Sequence, residues 1–403
     1  MSNKPQFLTA LTRLWRLDIF VIVLVVVVLD LVARTSSLPV FHIGWNQFDV
    51  PYRSRIWWAN RDFQTLKKAP DVVLLGPSTI TCAMYGAEAK YTHRAQCELL
   101  KHSSDYLEHQ LKELAGYGVS TFCLGLPGQV PSDAFMITKG LLVGDRVPKA
   151  VFYGITARDF IDATFNDPSD TDTFKMMSNI GHFPELQYSC RNSIWEKLNY
   201  QLGKISFIYG HKPFLVSAQH HFVHDALANL DGGKFVAAEA PDLIRKQAMI
   251  QLPEDLSGLE VQDVYDPSKQ ACVDNLAEYR TRYASFRPKR FEQQLGFFKA
   301  VVDYCRQQNI KLYVANMPIT RANRNLVPPA VFALYQSRTS EIARSGGAQY
   351  VDFDNPKDFV ASDFMDSVHL NGTGGQKVLD RIASLIVQGS QVASTARAGQ
   401  VPY

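Results

Sequence analysis

The 403-residue chain carries 42 Lys and Arg against 39 Asp and Glu, and a net charge of +3 gives no reason to expect nucleic acid, whose binders present a strongly basic face. Its 46% apolar and 20% charged residues are ordinary globular values with a slight apolar excess, and the length permits two or three domains or one elaborated α/β domain. The six cysteines (Cys82, Cys97, Cys123, Cys190, Cys272, Cys305) stand singly with no CxxC pair, which rules out the usual zinc-ribbon and thioredoxin spacings.

At the amino end, Leu17 to Ala33 is almost wholly aliphatic, with Asp18 and Asp30 as its only charges. Extended through Ala33, it approaches the ~17–20 residues that cross a bilayer, so residues 17–34 are expected to form a transmembrane signal anchor. Lys4, Arg13 and Arg16 precede it, which predicts a cytoplasmic segment over residues 1–16 and the bulk of the chain outside, periplasmic or extracellular. A cleaved signal peptide and a buried soluble helix compete with this reading. Leu31-Val32-Ala33 matches a small-x-small cleavage site only weakly, and a buried soluble helix is rarely this rich in valine. Asp30 is the odd residue of the run, either facing a membrane partner or reaching the outer interface.

Residues 35–70 read as a juxtamembrane connector, with Trp45, Trp57 and Trp58 suited to a membrane interface or to ordinary packing. The folded domain is expected over residues 71–387, followed by a flexible tail at 388–403 rich in Ser, Ala, Gly and Gln.

Within that domain, five strands are predicted: Val72–Leu75, Val119–Leu124, Ala150–Tyr153, Lys311–Ala315 and Gln349–Phe353. Cys123, inside the second of these runs, reads as a small buried hydrophobe. Helical periods separate several strands. Tyr106–Ala115 sets Leu107, Leu111 and Leu114 on one face, and Arg290–Gln307 does so with Phe291, Leu295, Phe298, Val301, Val302 and Cys305. Alternating strands and amphipathic helices imply a three-layer α/β fold around a parallel sheet. The stretch 164–285 is too long for one crossover and reads as a large, mainly helical insertion. Its apolar and aromatic Ile205–Ala218 suits insertion core, a lid, or a surface resting on lipid or a membrane partner. His220, His221 and His224 invite a metal, yet no carboxylate completes an HExxH pattern, so neither metal nor cofactor is expected.

Two stretches carry chemistry. Val72–Leu75 breaks at Gly76-Pro77 and delivers Ser78 to the carboxyl edge of the sheet, where ligands bind in open parallel sheets. Ser78 reads as a helix cap or as a nucleophile backed by the positive end of a helix dipole. Near the other end, Asp366 and His369 stand three residues apart and share a face of a helical turn. A carboxylate so placed fixes the imidazole tautomer and leaves the other ring nitrogen free to act as a base. The GxSxG elbow of α/β-hydrolases is absent, because Ile80 takes its last position.

Gly76-Pro77-Ser78-Thr79, Gly125-Leu126-Pro127-Gly128 and Asp366-Ser367-Val368-His369, in this order, resemble the blocks of the SGNH/GDSL hydrolase superfamily. Residues 71–160 and 288–387 carry the resemblance. It implies a flavodoxin-like sheet, Ser78 as nucleophile, His369 as base, Asp366 as its partner, and an oxyanion hole from the N–H groups of Ser78 and Gly128. The chain departs from the pattern at Pro77, where an acidic residue is usual, and after the third strand. There Thr156-Ala157-Arg158 replaces the GxND-like sequence whose Asn is the third donor, leaving Thr156 or Arg158 for that role. With the anchor, the chain resembles proteins that assist exopolysaccharide O-acetylation or teichoic-acid D-alanylation. That implies a serine esterase or O-acyltransferase acting on a glycan or other ester outside the cytoplasmic membrane, alongside a membrane-bound O-acyltransferase. The alternative is a non-catalytic scaffold for such a partner.

Overall fold

The structure is a computed structural model that describes residues 6–35, 54–165, 167–180, 194–210, 264–265 and 274–398, with Phe183 and Leu186. It divides into two compact units, Met1–Arg53 with Pro184–Leu252 and Ser54–Phe183 with Pro253–Tyr403.

In the first unit, helix α1 (Gln6–Thr35) contains the whole predicted span. Among the described residues, no helix is long and apolar enough to cross a membrane. The unbroken apolar run is Ile19–Leu29, and Arg16, Asp18, Asp30 and Arg34 stand at its ends. Asp30 is buried and bonds within the chain, to Ser206 and Ile208 at the start of the turn Phe207–Gly210.

The second unit begins with α2 (Arg55–Thr65), a segment the sequence assigned to the connector. Trp57 and Trp58 are buried there, 3% and 1% exposed, and meet edge to face, so their apolar area serves this unit's core rather than an interface with lipid. Strand β1 (Val72–Leu75) follows, all four residues buried as its aliphatic run requires. Then come α3 (Ser78–Thr92), α4 (Asp105–Ala115), β2 (Thr121–Cys123), α5 (Pro131–Leu141) and β3 (Ala150–Ile155). After the insertion come α6 (Pro288–Gln307), β4 (Lys311–Asn316), α7 (Pro329–Ser345), β5 (Gln349–Asp352) and α8 (Gly372–Ala398). Helices α5, α6 and α7 each start on a proline, whose missing N–H costs nothing at that position.

The strands of the five-stranded sheet all pair in parallel, in the order β2-β1-β3-β4-β5. This is the 2-1-3-4-5 order of flavodoxin-like doubly wound sheets, and its switch point lies between the carboxyl ends of β1 and β3. Strand β2 is shorter than predicted. At its entry, Asp71 takes over from the ladder by accepting from the Ser120 N–H (2.9 Å) and hydroxyl. On α4, Leu107 and Leu111 are buried as predicted, but Leu114 is 47% exposed because it falls at the helix end beyond the packed face. All six apolar residues expected on α6 are buried.

Helix α3 is buried from Thr79 to Ala89 and packs against α8 with almost no side chain between them. A Cβ on Gly86 would stand 3.2 Å from the Gly372 nitrogen, and one on Gly375 would run into the Ala83 carbonyl. This close crossing sets the start of α8, and the loop before it, beside the first turns of α3. Helix α8 continues to Ala398, past the predicted end at Val387, because the Ser-, Ala- and Gln-rich segment is compatible with a helix. The described parts of the insertion are mostly helical. Val264–Tyr265 adds a short antiparallel ladder with Gln96–Cys97. Trp45, His220, His221, His224, Cys190 and Cys272 lie outside the described residues. Cys82, Cys97, Cys123 and Cys305 are buried, and burial pushes the Cys123 thiol up to about 12.

Candidate active site

Ser78 is the first residue of α3, where backbone N–H groups have no partner within the helix. The turn before it depends on Gly76, whose φ of +137° is closed to L side chains and whose Cα faces the Gly154 carbonyl of β3. Gly76 is tied to the loop after β2 from both sides. Its N–H donates to Gln129 Oε1 (2.7 Å), and its carbonyl accepts from Leu126 N–H (2.9 Å). Gln129, 2% exposed, also donates to the Leu124 carbonyl, so one buried amide fastens the ends of β1 and β2 together.

The loop before α8 folds back on itself. Phe364 bridges Leu370, and the Met365 N–H donates to the His369 carbonyl at 2.8 Å. Asp366 Oδ1 accepts the N–H groups of Val368 and His369, both at 2.7 Å, and its Oδ2 lies 2.6 Å from His369 Nδ1. The other ring nitrogen, Nε2, lies 2.7 Å from Ser78 Oγ. The carboxylate selects the tautomer with hydrogen on Nδ1, so Nε2 accepts from the Ser78 hydroxyl. Burial pushes the Asp366 carboxyl up, but the His369 hydrogen bond, the imidazole charge and the two N–H groups outweigh it and hold the group below the usual carboxylate range. Asp366 therefore stays ionised and able to stabilise an imidazolium.

Side chains not anticipated from the sequence hold this loop. Ser367 donates its N–H to Asn275 Oδ1 (3.0 Å), and its hydroxyl bonds Asn275 and accepts from Asn323 Nδ2 (2.9 Å). Its carbonyl accepts from the Thr320 hydroxyl at 2.7 Å. Thr320 also caps the turn Arg321–Arg324, a pattern visible in sequence as Thr-x-x-Asn, but its reach to Ser367 is not. Asn371 caps α8 by accepting from Thr373 and Gly374 N–H.

At the ends of β2 and β3, Gly128 adopts φ +78° and its carbonyl accepts from Arg158 Nη1 at 3.1 Å. Thr156 is buried and turned to Asp159, which takes its N–H at 2.8 Å. Of the two residues considered for a third oxyanion donor, Arg158 is the one that reaches the Gly128 loop. Its Nε also pairs with Asp162 (3.0 Å), which receives Arg282 Nη1 at 2.6 Å. Burial pushes Asp159 and Asp133 up to about 7, while Arg158, the Thr164 groups and Arg282 bring Asp162 below its ordinary range despite burial. Tyr279, on the turn Leu276–Arg282, is 6% exposed and lies within electrostatic reach of Arg158 and Asp366, so the end of the insertion walls this edge of the site.

Among the described residues, no group of three or more His, Cys, Asp and Glu side chains is arranged to hold a metal ion. No family model matches the chain, and no curated protein matches it.

Proposed function

We propose that the protein is an SGNH-like serine esterase or acyltransferase, anchored through residues 17–34 with its Ser78 domain outside the cytoplasmic membrane. The observation that carries the reading is the Ser78–His369–Asp366 relay, with bonds of 2.7 and 2.6 Å between groups from opposite ends of the domain. A helix cap needs no imidazole on its hydroxyl, and a structural DxxH needs no serine on its free nitrogen.

In this reaction Ser78 Oγ attacks an ester carbonyl while its proton passes to His369 Nε2. The charge that develops on the carbonyl oxygen falls to the N–H groups of Ser78 and Gly128, with the Arg158 guanidinium as the third donor in place of Asn. The intermediate expels the alcohol, which takes the proton from His369 and leaves the acyl group on Ser78. Water or an acceptor hydroxyl then attacks the acyl carbonyl while giving its proton to His369, and His369 returns that proton to Ser78 Oγ as the bond between Ser78 and the acyl group breaks. An anchor in the same chain suits an envelope glycan as acceptor and a membrane-bound O-acyltransferase as partner.

A second reading, a non-catalytic scaffold for that partner, draws on Arg158, which is already engaged by Asp162 and the Gly128 carbonyl. Hydrolysis of p-nitrophenyl acetate by the full chain in detergent, with and without a sugar acceptor, tests the two. Turnover lost in Ser78→Ala supports the enzyme, and acceptor-dependent acylation makes it a transferase. Wild-type turnover no greater than that of Ser78→Ala favours the scaffold.

A further inference from the structure

Between Ile19 and Leu29, helix α1 is apolar around its whole circumference. From Phe20 to Leu29, and again at Leu31 and Val32, each large side chain is about half exposed, between 48% and 65%. A helix that is apolar all round is stable inside a large core or in lipid, and a protein partner laid along one side would leave the rest bare. Within the same unit, the helix Ile194–Ile205 carries an apolar stripe of Ile194, Trp195, Leu198, Leu202 and Ile205. At 100° per residue, these five fall within one 100° arc. All are exposed, with Ile194 at 82%, Trp195 at 73% and Ile205 at 72%.

The junction between the two helices fixes the level of that stripe. Asp30 Oδ1 accepts from the Ser206 hydroxyl (2.7 Å) and the Ile208 N–H (2.9 Å), and Arg34 Nη2 donates to the Ile205 carbonyl at 2.8 Å. Asp30 and Arg34 close the apolar run, at the height where a spanning α1 would leave hydrocarbon for headgroups. The carbonyl end of Ile194–Ile205 is therefore pinned at that boundary.

We propose that Ile194–Ile205 is an interfacial helix, its Ile194–Trp195–Leu198–Leu202–Ile205 stripe set into the outer leaflet of the bilayer and held at headgroup level by Asp30. This rests on the reading that α1 spans the membrane and adds a second, in-plane contact to it. Lipid is the one occupant that covers both the full circumference of α1 and a stripe at its end. The side chains of such a helix enter the boundary by ~5–10 Å, and Trp195 suits that depth.

The test uses the full chain in phosphatidylethanolamine/phosphatidylglycerol vesicles whose acyl chains are brominated near the headgroup or near the chain end. Wild type minus Trp195→Phe isolates the Trp195 emission. It is expected to be blue-shifted, and quenched more by headgroup-proximal than by chain-end bromine. Asp30→Leu is expected to lose that quenching while the chain stays in the vesicles through alkaline carbonate extraction. Water-like, unquenched Trp195 emission in retained chains overturns the interfacial helix and leaves the anchor standing. Blue-shifted but unquenched emission overturns it too and assigns the stripe to a protein. Release of wild type by carbonate overturns the anchor and this inference together.

Discussion

His369 Nε2 stands 2.7 Å from Ser78 Oγ across 291 positions of sequence, and the α3–α8 crossing brings them together. The same crossing places Asp366 behind the imidazole, so the three groups act as a unit. Asp366→Asn keeps the acceptor for the loop N–H groups but no longer fixes the tautomer. It is expected to lower kcat about 10³–10⁴-fold with unfolding unchanged, as ester hydrolysis and a denaturant titration will read.

Asn323 touches neither Ser78 nor His369, yet it donates to Ser367 in the middle of the DSVH loop. Asn323→Ala leaves a buried hydroxyl with one partner fewer and frees the loop. The expected stability loss is ~1–3 kcal/mol, with kcat falling about 10–10²-fold and KM near wild type. A purely structural role would leave kcat of the folded fraction unchanged.

How much of this was legible in the sequence follows from the range of each signal. The strands and Ser78 were readable because aliphatic runs and Gly-Pro breaks are local. Asp366 and His369 were readable because their pairing is three residues long. Asn275, Asn323 and Gln129 gave no local sign, since each polar side chain gains its role from a segment brought close only by the folded sheet. Trp57 and Trp58 stay open in the sequence for a related reason: their apolar rings suit a membrane interface and a core equally, and only the packing of α2 decides between them. Leu114 followed the helical period yet lies beyond the face that α4 packs.

Gly76→Ala forces a side chain into φ +137° and against the Gly154 carbonyl, which is main chain and has no rotamer to yield. A loss of at least ~2–3 kcal/mol is expected in urea unfolding, with esterase activity falling in the fraction that stays folded, because Ser78 is two residues away.

Burial raises Asp133 and Asp159 to about 7. A carboxyl with a raised folded pKa binds its proton more tightly when folded than when unfolded. The stability it contributes is full below the unfolded pKa of ~3.9 and is lost as pH rises to about 7. Asp366 has the opposite sign, so its stability is lost only in acid below that unfolded value. Thermal melts between pH 4 and 8 should therefore show a downward limb in wild type. That limb flattens in Asp133→Asn/Asp159→Asn.

The central claim is that Ser78 is a nucleophile activated by His369. Treating the full chain with a fluorophosphonate and mapping the adduct by mass spectrometry tests it most directly. One covalent adduct on Ser78 is expected, abolished in Ser78→Ala and strongly slowed in His369→Ala. Folded wild-type protein that stays unlabelled, or that carries its adduct on another residue, would contradict it.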